Sequence, residues 1–278
     1  MKLRSFSKIN LSLRVLKKMS SGLHDIQSNS ILIDLNDQIK INRSYKNKNE
    51  ISFKGDFARF VNKKNNSVKS IVKYLEKEKI FKSKYKFTIT KNIPVFSGLG
   101  GGTSNAVTIF RHFQKKKINS KIINELTKTI GSDFKLFLQK QSFQSSLAKV
   151  TNYKKSHVIN MIVVFPYKLC STKKIYSNVN SFSKPCKNKY GNVLNTKKFI
   201  KLISKEKNDL QPIVEKKYPI IKKIMQFLEN QKNCVFSRMT GSGSACFGVF
   251  LTKKNTHEAL LKVRKKFPVF FSVITKTI

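Results

Sequence analysis

The stretch Pro94-Val95-Phe96-Ser97-Gly98-Leu99-Gly100-Gly101-Gly102-Thr103-Ser104-Asn105-Ala106 crowds four glycines into five positions, directly before a Thr-Ser pair and a helix-like pattern. A glycine-rich turn that opens a helix presents unpaired backbone N–H groups and the positive end of the helix dipole, a combination that binds phosphate. Glycine is needed there because a β-carbon blocks close approach and the unusual dihedrals. A plain flexible turn has the same composition, but this crowding against a helix start favours phosphate. The common phosphate loops are excluded. No glycine is followed by lysine, as the P-loop requires, and Thr103 stands where a dinucleotide fingerprint needs its last glycine. His-Arg-Asp and Asp-Phe-Gly, the protein-kinase signatures, are absent. A second small-residue loop, Arg238-Met239-Thr240-Gly241-Ser242-Gly243-Ser244-Ala245, lies far downstream. The four cysteines and four histidines show no metal-ligand spacing, so the cysteines read as small, buried or half-buried side chains.

Such loops need flanking elements. Ile9, Leu11, Leu13 and Val15 alternate on one face of an N-terminal strand, so Lys8, Asn10 and Ser12 share the other. Residues 30 to 35 and Tyr85 to Thr90 read as further strands, and residues 42 to 49 and 62 to 66 as polar loops. Behind the glycine loop, Ala106, Val107, Phe110 and Phe113 mark one side of a helix. A second helix is expected from Ser120 to Ile130, and a short one from Ser132, which could cap it, with Asp133 in its first turn. Residues 158 to 165 make an apolar strand and residues 181 to 192 a surface connection. Pro219 introduces an amphipathic helix through Ile220, Ile221, Ile224, Met225 and Leu228; a strand at 246 to 251, a charged helix at 256 to 266 and a last strand follow. This irregular alternation predicts an α+β or two-layer α/β fold. A boundary near residues 154 to 157 divides the chain into domains 1–155 and 156–278, each with one glycine loop.

Composition narrows the function. Hydrophobic residues make up 40% of the chain, enough for a globular core, and no apolar run approaches the ~20 residues of a membrane span. No secretory pattern opens the chain, which points to the cytoplasm. The 57 basic residues against 14 acidic ones give a formal charge of +43. Nucleic-acid binding is the obvious candidate, but the lysines are spread from end to end and no recognition module accompanies them. No specific nucleic-acid partner is expected. The same charge attracts any small polyanion, ATP included.

The glycine loop resembles the ATP loop of the GHMP kinase superfamily (galactokinase, homoserine, mevalonate and phosphomevalonate kinases). Other motifs follow in the family's order. Ser7-Lys8-Ile9-Asn10-Leu11 is similar to its opening Ala-Lys-hydrophobic-Asn-Leu, and Gly22-Leu23-His24 stands where it has Gly-Tyr-His. Gly131-Ser132-Asp133 is similar to its Gly-Ser/Ala-Asp segment; Pro166 with Ser171-Thr172 and Tyr176, then Asn208-Asp209-Leu210, Tyr218-Pro219 and the 238–243 loop, complete the match. The resemblance covers nearly the whole chain. It implies the two-domain α+β fold of that superfamily with the active site in the interdomain cleft, and either a monomer or a homodimer. It also implies ATP with Mg²⁺, and a small-molecule acceptor: the 2-hydroxyl of a cytidine diphosphate-linked methylerythritol, on a route to isoprenoid precursors. A mevalonate- or homoserine-type kinase, or a degenerate kinase scaffold binding nucleic acid, are the alternatives.

At the residue level the resemblance makes Asp133 the carboxylate that orients or deprotonates the acceptor hydroxyl, with Lys8 beside it to keep it ionised and balance charge. Residues 94 to 104 would cradle the triphosphate. Asn10 and His24 would touch the acceptor, Tyr176 would stack on its cytosine, and Gly241, Ser242 and Gly243 would support the site. Taken singly these residues have plainer uses: a lysine on a strand face is usually solvated, an Asp at a helix start is usually a cap, and a tyrosine usually packs. Their joint occurrence in order is what points to a kinase. Three departures stand out: Leu23 in place of the aromatic before the histidine, Lys135 in place of proline after Asp133, and residues 141 to 150 without the family's Gly-x-Gly-Glu. They bear on acceptor recognition rather than on phosphoryl transfer.

Overall fold

Two long strands, β1 (Lys2–Lys18) and β2 (His24–Arg43), begin the chain. A computed structural model describes residues 1–114, 119–187 and 190–278, so residues 188 and 189 of the expected surface connection lie outside the described residues. The alternating apolar residues of β1 are buried as expected, but Lys8, Asn10 and Ser12 on its other face are buried too. That second face is covered by polar partners that satisfy one another. Asn10 Nδ2 donates to Ser28 Oγ (2.7 Å) and Ser30 Oγ (3.0 Å), and Asn29 Nδ2 donates to Ser12 Oγ (2.9 Å). A buried polar face is tolerable only on those terms.

The chain forms two compact units, each gathered from several stretches. The first comprises Met1–Ser7, Leu35–Val95 and Gly100–Leu138. Here β4 (Tyr85–Thr90) pairs in parallel with β3 (Glu50–Lys54) and antiparallel with residues 38–43 of β2. Helices α1 (Ser67–Lys77), α2 (Gly101–Phe113) and α3 (Ser120–Ile130) complete it. Helix α1 buries Val68, Ile71, Val72 and Leu75 at helical spacing, and the Asn66 side chain caps it by accepting from Lys69 N at 3.0 Å. The segment Ser132–Leu138 is a 3-10 turn rather than a capped α-helix. Phe134 in that turn sits edge-on to Phe110 of α2, centroids 5.8 Å apart.

One buried group braces the start of α2. Asp37 of β2 accepts from the Lys91 ammonium, from the backbone N–H groups of Asn92 (2.8 Å) and Ile93 (2.9 Å), and from Asn105 Nδ2 (2.9 Å). The carboxylate thus ties the chain leaving β4 to the second turn of α2. A buried ion pair is affordable when its remaining lone pairs are filled in this way.

The second unit comprises Lys8–Asp34, Phe96–Leu99 and Gln139–Ile278. In it β5 (Gln141–Gln144) pairs with residues 28–31 of β2 and with β6 (Val150–Asn152). Strands β7 (Asn160–Phe165), β8 (Cys234–Met239), β9 (Cys246–Phe250) and β10 (Phe271–Lys276) form an antiparallel sheet in the order β10-β7-β9-β8. Helices α4 (Thr172–Tyr176), α5 (Thr196–Ser204), α6 (Gln211–Lys217), α7 (Ile220–Glu229) and α8 (Lys253–Lys266) accompany it. Ile162 and Val164 of β7, Ile221, Ile224 and Leu228 of α7 and Val263 of α8 share one core. Arg238 and Met239, read from sequence as loop, end β8. Arg238 is buried, its guanidinium donating to the carbonyls of Leu11, Ser204 and Glu206.

Candidate active site

The glycine loop bridges β4 and α2 in sequence. Phe96 adopts φ +56° with its ring exposed, a conformation most non-glycine residues avoid, and its carbonyl accepts from Cys170 N at 3.2 Å. Gly98 has φ +82°, and a β-carbon there would lie 2.2 Å from the Thr240 carbonyl oxygen. Glycine at 98 is therefore demanded by the second loop, which presses directly against it. Gly100, also left-handed, is the N-cap of α2 and offers no capping side chain; no acidic residue occupies the first turn. A helix start without a capping side chain can offer its backbone N–H groups to an anion, and a diphosphate or triphosphate is of that kind. Gly101 and Gly102 differ. A β-carbon on buried Gly101 would meet the Ile93 side chain at 2.9 Å, whereas on exposed Gly102 it would meet only Ser67 Oγ, at an ordinary 3.5 Å. A side chain at 101 would collide inside the protein, whereas Gly102 is the exposed position.

Lys8 is 3% exposed and its ammonium donates to Asn10 Oδ1. Its backbone N–H donates to the Leu99 carbonyl at 3.0 Å, which sets the lysine beside the glycine loop. Asn10 N donates to Thr240 Oγ1 (2.9 Å), and a β-carbon on Gly241 (φ +55°) would lie 3.2 Å from Asn10 Oδ1 and 3.3 Å from Lys8 Nζ. Lys8, Asn10, Gly98 and Gly241 thus form one close-packed knot. Asn10 spends its amide hydrogens on Ser28 and Ser30 and its oxygen on Lys8, so it orients the ammonium. Thr240, Ser28 and Ser30 complete the knot; only the small-residue composition around 240 hinted at them. Asn208 Nδ2 fixes the second loop by donating to the Met239 and Gly241 carbonyls, both at 2.8 Å.

In the first unit, Gly131 lies against Thr103, a β-carbon there coming to 3.6 Å of Thr103 Oγ1. The segment Gly131-Ser132-Asp133 therefore meets the first turn of α2. Lys135, where the family pattern has proline, donates to Asn124 Oδ1 of α3 at 2.9 Å and so anchors the 3-10 turn another way.

Among the residues expected to meet the acceptor, the His24 ring lies 5.2 Å from that of Tyr176, tilted by 34°. Burial, aided by the Lys18 ammonium, lowers the His24 pKa below the ordinary histidine value, so the imidazole is neutral at neutral pH. Tyr176 is half-buried against the second unit's core. Its helix α4 is tied to the second loop by the Thr172 and Ser242 hydroxyls, 3.0 Å apart. Leu23 is exposed. The glycine-poor stretch after residue 140 closes as the β5–β6 hairpin. Ser145 N donates to the Lys149 carbonyl (2.9 Å), and Leu147 N donates to the carboxylate of Asp25, next to His24, at 3.0 Å. All four cysteines are free thiols; burial pushes Cys170 up to about 11 and Cys234 up to about 12, so neither is a nucleophile.

Known proteins share this fold. Residues 66–135 match the N-terminal domain of GHMP kinases and residues 194–269 the C-terminal one. A crystal structure of a 4-(cytidine 5'-diphospho)-2C-methyl-D-erythritol kinase superposes with a TM-score of 0.77 at 19% identity, covering all of both chains. Fold and loops together define a GHMP kinase with two domains. A 4-diphosphocytidyl-2-C-methyl-D-erythritol kinase of Pelagibacter ubique is 35% identical over 100% of this chain and 99% of its own length. One from Wolbachia of Drosophila simulans is 30% identical over 98% and 96%. The chain belongs to the 4-diphosphocytidyl-2-C-methyl-D-erythritol kinase family.

Proposed function

We propose that the protein transfers the γ-phosphoryl group of ATP to the 2-hydroxyl of 4-diphosphocytidyl-2-C-methyl-D-erythritol, in the non-mevalonate route to isoprenoid precursors. The knot of Lys8, Asn10, Gly98 and Gly241 carries the reading: a buried ammonium is held rigidly beside a phosphate loop, where transferred charge must be met. The full-length relatives favour the cytidine-bearing acceptor over the mevalonate or homoserine class, and favour a kinase over a nucleic-acid binder. In the proposed chemistry Asp133 accepts the proton of the 2-hydroxyl as its oxygen bonds to the γ-phosphorus. The bond to the β-bridging oxygen breaks, and ADP leaves. Lys8 balances the charge on the phosphoryl oxygens. Residues 94 to 104 hold the triphosphate through backbone N–H groups, with Gly102 outermost. His24 reads the cytosine edge and Tyr176 offers it a ring face.

Mg²⁺ fits as an ion carried by the nucleotide. Among the described residues no three His, Cys, Asp or Glu side chains cluster into a cage, so the ion would be held chiefly by phosphate and water. When bound it neutralises phosphate oxygens. No helix among the described residues is long and apolar enough to cross a membrane. The protein acts in the cytoplasm on a small molecule, without a specific nucleic-acid partner. The domain division at 155/156 belongs to this proposal; the two family matches fall one on each side of it, although the compact second unit also takes in Lys8–Asp34 and Phe96–Leu99. The test is a turnover assay with purified protein, ATP and three acceptors: the cytidine alcohol, mevalonate and homoserine. ADP release with the cytidine alcohol alone is expected, and preference for either other acceptor overturns the reading.

A further inference from the structure

Residues 181 to 187 form a strap fixed at two points. Ser183 N donates to the Val15 carbonyl of β1 at 2.8 Å. Cys186 N donates to Gln27 Oε1 of β2 at 2.8 Å, and Gln27 Nε2 returns a bond to the Cys186 carbonyl at 3.2 Å. These bonds set the neighbouring Phe182 in place: its ring centroid lies 6.4 Å from that of His24, tilted by 36°. His24 therefore has two aromatic neighbours, Tyr176 and Phe182. Phe182 remains 49% exposed, although phenylalanine is a residue type usually buried when packing is its whole purpose. Meanwhile Leu23, before the histidine, offers only an exposed aliphatic side chain.

We propose that Phe182 determines acceptor specificity: its exposed ring is the aromatic face for the pyrimidine base that Leu23 cannot supply. A planar base needs a face to stack on and an edge partner, and a pinned ring beside an imidazole provides both at little conformational cost. The assignment rests on the cytidine-bearing acceptor proposed above. Arrival of the second face from the strap, rather than from the residue before the histidine, explains how a chain with Leu23 can keep base recognition.

The experiment compares Phe182→Leu, which keeps apolar bulk but loses the π-face, with Phe182→Tyr, which keeps the face. Steady-state kinetics give KM for each substrate, and calorimetry measures binding of CDP and of ribose 5-phosphate. Expected for Phe182→Leu is a roughly ten- to hundredfold rise in KM for the cytidine alcohol and a matching loss of CDP affinity. KM for ATP, ribose 5-phosphate binding and melting temperature should stay at wild-type values, and Phe182→Tyr should behave as wild type. Unchanged CDP affinity in Phe182→Leu, or equal losses for ATP and the alcohol, overturns the proposal and leaves the kinase reading standing. A wild-type protein that binds CDP through Phe182 but does not phosphorylate the cytidine alcohol overturns the proposed function and keeps the base face.

Discussion

In the proposed chemistry Asp133 is the carboxylate that takes a proton and Lys8 the ammonium that balances charge without leaving its place. Lys8 is locked by Asn10 Oδ1 and by the crowding of Gly241, so its charge is pre-organised and costs little to align during transfer. Asp133 stands at the start of a 3-10 turn whose next residue, Phe134, is fully buried, so the backbone holds the carboxylate even when its chemistry is altered. Asp133→Asn should therefore leave the fold and ATP binding intact while kcat falls by roughly 10²- to 10⁴-fold, the usual worth of a positioned base. Turnover and calorimetric ATP affinity measured side by side decide it. A variant with full kcat would remove Asp133 from the chemistry.

At the scale of elements, the glycine loop separates into positions that serve the protein and one that faces outward. Gly101→Ala should lower the melting temperature, because its methyl group strikes Ile93 at 2.9 Å. Gly102→Ala should keep or slightly raise the melting temperature, as alanine in place of glycine favours a helix by up to ~1 kcal/mol. The same methyl group should raise KM for ATP by about tenfold, equivalent to ~1.4 kcal/mol of lost phosphate contact. Unfolding curves and ATP kinetics on both variants separate the two roles; identical behaviour would refute the distinction. Sequence went far with these elements because local pattern specifies them. Strand β4 and helix α3 begin and end where alternation and the 3.6-residue period place them. It missed what locality does not encode. Helix α4 has five residues, too few to show a period, and α1 is diluted by the lysines spread through the chain. The polar face of β1 looks solvated until Ser28 and Ser30 arrive from β2 to satisfy Asn10. Order of motifs singled out Lys8 and Asp133 as candidates, but the placing of Phe182 beside His24 depends on the bonds of the strap to Val15 and Gln27.

Across the whole molecule, two groups of titrating and fixed charges set the response to solvent. His157 is fully buried, stacked on Phe199 with centroids 4.1 Å apart, and among the described residues its Nε2 has no hydrogen-bond partner. Burial first, then the Lys155 charge, lowers its pKa, and His24 is lowered likewise. The unfolded chain then binds protons more readily than the folded one. Their stabilisation is complete above the unfolded histidine value of about 6.5 and is lost as pH falls from there through the lowered folded values. Melting temperature should drop across that window, and His157→Phe, which keeps a stacking ring without a proton site, should flatten part of the fall. A slope unchanged by the substitution would exclude His157 as a source. The fixed charge acts more broadly. With 57 cationic side chains against 14 anionic ones, the folded chain repels itself and attracts ATP through the same field. Salt shortens the reach of that field from about 30 Å at 0.01 M to about 8 Å at 0.15 M. Added sodium chloride should consequently raise the melting temperature while lowering kcat/KM for ATP by roughly three- to tenfold, and leave kcat nearly constant because the knot around Lys8 is buried and poorly screened. Thermal melts and ATP kinetics over one salt series give both readouts on one preparation. Movement of stability and kcat/KM in the same direction would mean that salt acts through a specific ion site instead of through net charge.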